Sequence, residues 1–189
     1  SINTATYGGG VGNYGTFTMN EGTIKDNTAS EKGSGVYSSK PFVKEGGEID
    51  GSIESYGSAL CTVTFNANDG SDKTIIQYVI SNKDTNLAPN KFSYGNYIFG
   101  CWNTMADGTG DSYEDNATIN IKGDLELYAR WIEKSYDVTF KVNNGSWFDK
   151  TNDDIVVTIL RYVGENKELK LNASNIPTLG NPDTGYKSS

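Results

Sequence analysis

Through residues 8–52 the chain sets single apolar residues among Gly, Asn, Ser, Thr and Asp. GGGVGNYGTFTMNEGTIKDNTASE at 8–31 is followed by GSGVYSSKPFVKEGGEIDGS at 33–52. Gly10-Val11 returns as Gly35-Val36, Phe17 as Phe42, Gly22 as Gly47 and Ile24 as Ile49, each at an offset of 25 residues. Apolar positions this sparse do not make a helical stripe. They predict short strands and tight turns stacked coil on coil, with single aliphatics inside and small polar residues at the corners. In the second coil Pro41 replaces Thr16, and Lys44 replaces Met19 at an expected inward position. Proline and charge oppose further strand pairing, so this coil is expected to end the stack.

After residue 58 the period becomes two. Val63, Phe65 and Ala67 alternate with Thr62, Thr64 and Asn66, and Leu125, Leu127, Ala129 and Trp131 alternate with Glu126, Tyr128 and Arg130. Both stretches read as half-buried strands. Asp69-Gly70 is a hairpin-type turn signal, and TIIQYVI at 74–80 and YIFGCW at 97–102 are rich in strand-forming residues. The segment 84–92 offers a helical turn or two at most around Pro89. VTFKVNNGS at 138–146 repeats VTFNANDGS at 63–71 at an offset of 75, which marks a second copy.

The coil pattern resembles the right-handed parallel β-helix repeats of bacterial surface adhesins. VTFNANDG followed by YIFGCWNTMADGTGDSYEDNATINIKGDLELYARW resembles the Listeria–Bacteroides repeat, the internalin-type B-repeat of surface proteins, nearly end to end over 61–133. Asn96 and Cys101 stand where that family usually has glycine, and Asp69 interrupts its NGG turn. Residues 136–189 resemble a longer variant of the same repeat that stops before its Trp block. The resemblance implies a mainly β chain: the C-terminal coils of a right-handed β-solenoid at 1–58, a complete β-grasp-like module at 59–133, and an incomplete second module at 134–189.

Composition removes several chemistries. The chain has no histidine, hence no Ser-His-Asp triad, no HExxH zinc site and no histidine base. With 16 Lys+Arg against 24 Asp+Glu and a formal charge of −8, it suits phosphate backbones poorly, so no nucleic-acid partner is expected. No apolar run approaches the roughly 20 residues of a membrane span, and the opening residues read as repeat rather than as a secretory leader. Gly10-Val-Gly-Asn-Tyr-Gly15 fits GxGxxG, yet TFTMN after it is a strand where a dinucleotide site needs a helix N-terminus. Asp107-Gly-Thr-Gly-Asp111 reads as a turn, since a calcium loop of the EF-hand kind needs further ligands that are absent. Asn181-Pro-Asp-Thr-Gly185 resembles a sortase signal, but such a signal needs an apolar stretch and basic residues after it, so a turn inside the second repeat is the preferred reading. Cys61 and Cys101 make no CxxC pair; both are placed inward by parity and read as free, packed thiols unless their strands are neighbours. Glu45, Glu48, Asp50 and Glu54 read as solvated charge.

No catalytic residue, cofactor or metal is therefore expected. Trp102 and Trp131 are assigned to the core, and Tyr128, on the outer face, is kept as a candidate contact residue. Resemblance implies a non-catalytic fragment of a cell-surface or secreted adhesin-like protein, a stalk or spacer able to meet a host protein or glycan and joined to the cell wall through regions outside this chain. The rival expectation is an accessory region of a β-helix polysaccharide-degrading enzyme whose active site lies upstream.

Overall fold

The computed structural model describes residues 2–141 and 154–160. Among them every regular element is a strand, and no helix is long and apolar enough to cross a membrane. Strands β1 (Thr4–Tyr7), β2 (Val11–Asn13), β3 (Thr18–Met19) and β4 (Thr23–Ile24) are followed by β5 (Thr28–Lys32), β6 (Val36–Ser38), β7 (Phe42–Lys44) and β8 (Glu48–Ile49). Each strand of the first set pairs in parallel with its counterpart in the second, through Thr4↔Thr28, Val11↔Val36, Thr18↔Val43 and Thr23↔Glu48. In β2–β6, β3–β7 and β4–β8 the 25-residue offset of the sequence is thus a hydrogen-bonded register. The β1–β5 pair starts at an offset of 24 and reaches 25 at Tyr7↔Lys32 after a register shift. A further strand, β9 (Ile53–Glu54), adds to β6 with Val36↔Ile53.

Like residues stack within this ladder. Val11, Val36 and Ile53 form one column, and the rings of Phe17 and Phe42 lie 5.4 Å apart. Buried Asn13 donates from Nδ2 to Ser38 Oγ at 2.8 Å, so the polar pair in the interior is matched. Gly8 and Gly33, themselves 25 residues apart, turn the corners at φ +66° and +69°. A Cβ on either would come 2.5 Å from the carbonyl oxygen of Val11 or Val36, so both the conformation and the close approach require glycine.

The second coil does not end the pairing. β7 pairs antiparallel with β11 (Thr74–Ile80), with Phe42 opposite Tyr78, Val43 opposite Gln77 and Lys44 opposite Ile76. Pro41 lies one residue before the first paired position, where its missing N–H removes no ladder bond. Lys44 sits half-buried at the other end of this short contact. The expectation that proline and charge stop the ladder here is therefore corrected.

β11 also closes the hairpin with β10 (Leu60–Asn66), whose other edge pairs in parallel with β16 (Leu125–Glu133) through Val63↔Leu125 and Phe65↔Leu127. The remaining strands of this segment are β12 (Thr85–Asn86), β13 (Tyr97–Asn103), β14 (Ser112–Tyr113) and β15 (Thr118–Ile119). One seven-stranded sheet results, in the order β14-β13-β16-β10-β11-β7-β3, while β12 and β15 pair separately. The core cluster contains Cys61, Val63, Phe65, Val79, Leu87, Trp102, Ile119, Leu127 and Ala129, with Trp131 packed against it.

Two local expectations are revised. Residues 84–92 form no helix: β12 is extended, and the buried Gln77 side chain donates to Asn86 O and accepts from Ala88 N, both at 2.9 Å. An inward amide needs exposed backbone partners, which a helix would have used internally. The β10–β11 turn is wider than a two-residue hairpin, with Ala67 N donating to Lys73 O at 3.0 Å.

Residues Ser1–Tyr94 and Phe99–Trp131 group as one compact unit. In the other unit, β17 (Ser135–Phe140) pairs antiparallel with β18 (Ile155–Leu160). Ser135↔Leu160 and Phe140↔Ile155 reproduce the register of Leu60↔Ile80 and Phe65↔Ile75. The offset is 75 residues in the first strand and 80 in the second, so the second connection is five residues longer. Most of the expected incomplete second module at 134–189, Asn181–Gly185 included, lies outside the described residues.

Candidate contact surface

The family-like motif residues mostly hold the repeat together. Trp131 Nε1 donates to Ala67 O at 2.8 Å, and Asn68 Nδ2 donates to Ala106 O and Ala129 O at 3.0 Å each. Asn103, 1% exposed, accepts from Met105 N at 2.9 Å and Gly110 N at 3.1 Å and donates to Gly110 O and Ser112 Oγ at 3.0 Å each. This amide is the hub of the 103–112 loop, and the sequence reading did not single it out. The Arg130 guanidinium lies directly over Gly108, where a side chain would collide with it. Asp107 Oδ1 accepts from Thr109 N at 2.9 Å and Thr109 Oγ1 at 2.7 Å. These bonds, with Arg130 nearby, hold its carboxyl below the usual range. The Asp107 carboxylate thus shapes a turn, and no group of three metal-ligating side chains occurs among the described residues.

Other sequence candidates separate. Cys61 is buried in the core, whereas Cys101 is half-buried and outside the core cluster; Trp102 takes the inward position beside it. β16 lies between their strands, so the two thiols are not on neighbouring strands. Glu45 pairs with Lys91, and Glu54 Oε1 accepts from Gly33 N at 3.3 Å. Tyr128 is half-buried in register with Asn66, and hydrogen bonding to Glu126 raises its phenol above the ordinary value.

A tyrosine cluster that the sequence reading passed over lies on the coil. Tyr37 is in the middle strand of the β2-β6-β9 sheet, with Gly12 beside it on one side and Glu54 on the other. Its neighbours Val36 and Ser38 alternate to the opposite face. The Tyr7 ring lies 5.1 Å and the Tyr14 ring 6.0 Å from the Tyr37 ring. Tyr37 is 4% exposed beneath its neighbours, but Tyr7, Tyr14 and Tyr56 are 40%, 65% and 77% exposed. Tyr56 follows Glu54, the strand partner of Tyr37, by two residues. Burial, then the phenols of Tyr14, Tyr7 and Tyr56, push the Tyr37 hydroxyl pKa upward. No signal at the 25-residue period reveals them, since the counterpart of Tyr37 is Gly12.

No solved structure matches this chain. A protein of Evansella cellulosilytica described as a Gly-rich membrane protein is 34% identical over 73 residues, which are 38% of this chain and 8% of that protein. The chain thus spans a small fraction of the length of this relative. Residues 62–130, the segment from β10 to β16 whose asparagine and tryptophan contacts close the repeat, match the Listeria-Bacteroides repeat domain, a module typical of bacterial surface proteins.

Proposed function

We propose that this chain is a non-catalytic, adhesin-like part of a bacterial cell-surface or secreted protein, a stalk or spacer built from two coils of a right-handed parallel β-solenoid, a β-grasp-like repeat and the start of a second. The observation that carries this reading is the seven-stranded sheet, which runs from coil strand β3 through β7 and β11 to repeat strand β14. A sheet shared in this way transmits force through backbone hydrogen bonds between coil and repeat. The parallel ladders support the solenoid, and the order β11-β10-β16-β13 with its central parallel pair supports the β-grasp-like module. The acidic composition keeps such a surface soluble. The spacer is joined to the cell wall through regions outside this chain and itself meets a host protein or glycan. Protease treatment of intact cells producing the full-length protein tests the location. Release of peptides from 2–133 without lysis is expected, and protection until lysis would overturn the proposal.

A further inference from the structure

The geometry points to the tyrosine cluster on the coil as a binding platform for a short neutral glycan. The inference deepens the surface reading above and rests on it for where a glycan would be met. Three rings, those of Tyr7, Tyr14 and Tyr56, stand partly bare in an otherwise polar coil. Each offers an apolar face and a hydroxyl, the two features that a pyranose presents in return as a C–H face and its hydroxyl groups. The Tyr14 ring lies over Gly12 on one side of Tyr37, 3.5 Å from where a Cβ would stand, and Glu54 borders Tyr37 on the other side. The bond from Gly33 N holds the Glu54 carboxylate in place as an acceptor for sugar hydroxyls.

Size and charge select the occupant. Three adjacent strands span ~10 Å, about two or three sugar rings. The bare parts of three tyrosines amount to a few hundred Å², on the order of half the ~800 Å² per partner of a stable protein interface. A polyproline segment would also stack on tyrosine, but it brings few donors for the Glu54 carboxylate and the phenol oxygens. The carboxylate and the chain's net charge of −8 disfavour sulfated or phosphorylated glycans.

The test titrates the whole chain, by isothermal calorimetry and by NMR, with cellotriose, maltotriose, mannotriose and chitotriose, and with a decaproline peptide as comparator. At least one trisaccharide should bind. The Tyr14→Ala/Tyr56→Ala variant should bind it about tenfold or more weakly, equivalent to roughly 1.4 kcal/mol, while still unfolding in one cooperative transition. Failure of all four sugars, equal binding by the variant, or binding of decaproline alone would each overturn the platform. None of these outcomes bears on cell-surface location, which protease accessibility reads separately.

Discussion

The ring of Phe42 lies face to face with that of Tyr78, centroids 4.5 Å apart and planes 10° apart. Phe42 belongs to the coil and Tyr78 to the repeat, so the column that begins at Phe17 continues across the junction. β11 is consequently covered on both sides: Gln77 and Val79 face the repeat core while Ile76 and Tyr78 lie half-buried on the other face. A strand buried on both faces explains the nearly continuous apolar run TIIQYVI.

Tyr78→Ala should therefore weaken the coil as well as the repeat. Stacked aromatic pairs contribute ~0.5–1.5 kcal/mol beyond the area they bury, and with the lost half-buried ring the total is about 2–3 kcal/mol. Hydrogen exchange checks this through the amides of β3 and β7, which should lose protection together with those of β11. Loss confined to 60–131 would mean that coil and repeat open independently.

The two core tryptophans should respond differently to loss of the indole nitrogen. Trp131 Nε1 donates to Ala67 O, whereas the buried Trp102 Nε1 has no hydrogen-bond partner among the described residues. Trp131→Phe strands a carbonyl, a penalty of ~1–3 kcal/mol, while Trp102→Phe relieves an unpaired donor and loses only packing. Denaturant titration should rank Trp131→Phe as the more damaging of the two. The reverse order would refute the hydrogen-bond accounting.

The coil register was legible because like residues stack on like: Val11 over Val36 and Ile24 beside Ile49 stand at one period in the sequence. The alternation in β10 and β16 likewise placed Val63, Phe65, Leu127 and Trp131 against one core. The junction was not legible, because Pro41 and Lys44 carry a stop signal whose force depends on where the paired stretch begins. The tyrosine cluster escaped for a related reason. Tyr7, Tyr14 and Tyr37 meet through stacking of coils but occupy non-equivalent positions in the period. Asn103 was hidden because its role depends on which backbone groups the loop turns toward it.

Acid should loosen the two aspartate turns. Hydrogen bonds from Ser71 lower the pKa of Asp69, and those from Thr109 lower that of Asp107. A carboxyl lowered in the folded state adds stability above its unfolded value near ~3.9 and loses it as pH falls through the lower folded value. Stability should decline on that acid limb, and the Asp69→Asn/Asp107→Asn variant should show a shallower decline. Melting temperatures recorded from neutral pH down through this range check the slope, and parallel curves would exclude these two groups as contributors.

Asn103→Asp is the sharpest test of the loop. The amide nitrogen donates to Gly110 O and Ser112 Oγ, and the amide oxygen accepts from Met105 N and Gly110 N. A carboxylate of equal size keeps the acceptor and turns the donor into a second acceptor facing a carbonyl. At 1% exposure the new charge has no access to water. Loss of a buried, hydrogen-bonded group of this kind costs about 3 kcal/mol or more. The substitution should cost most at neutral pH and be partly relieved in acid, where the protonated carboxyl again offers a donor. Urea melts at neutral pH and near pH 4 measure the difference. A penalty below ~1 kcal/mol at neutral pH would show that the 103–112 loop does not depend on its central amide.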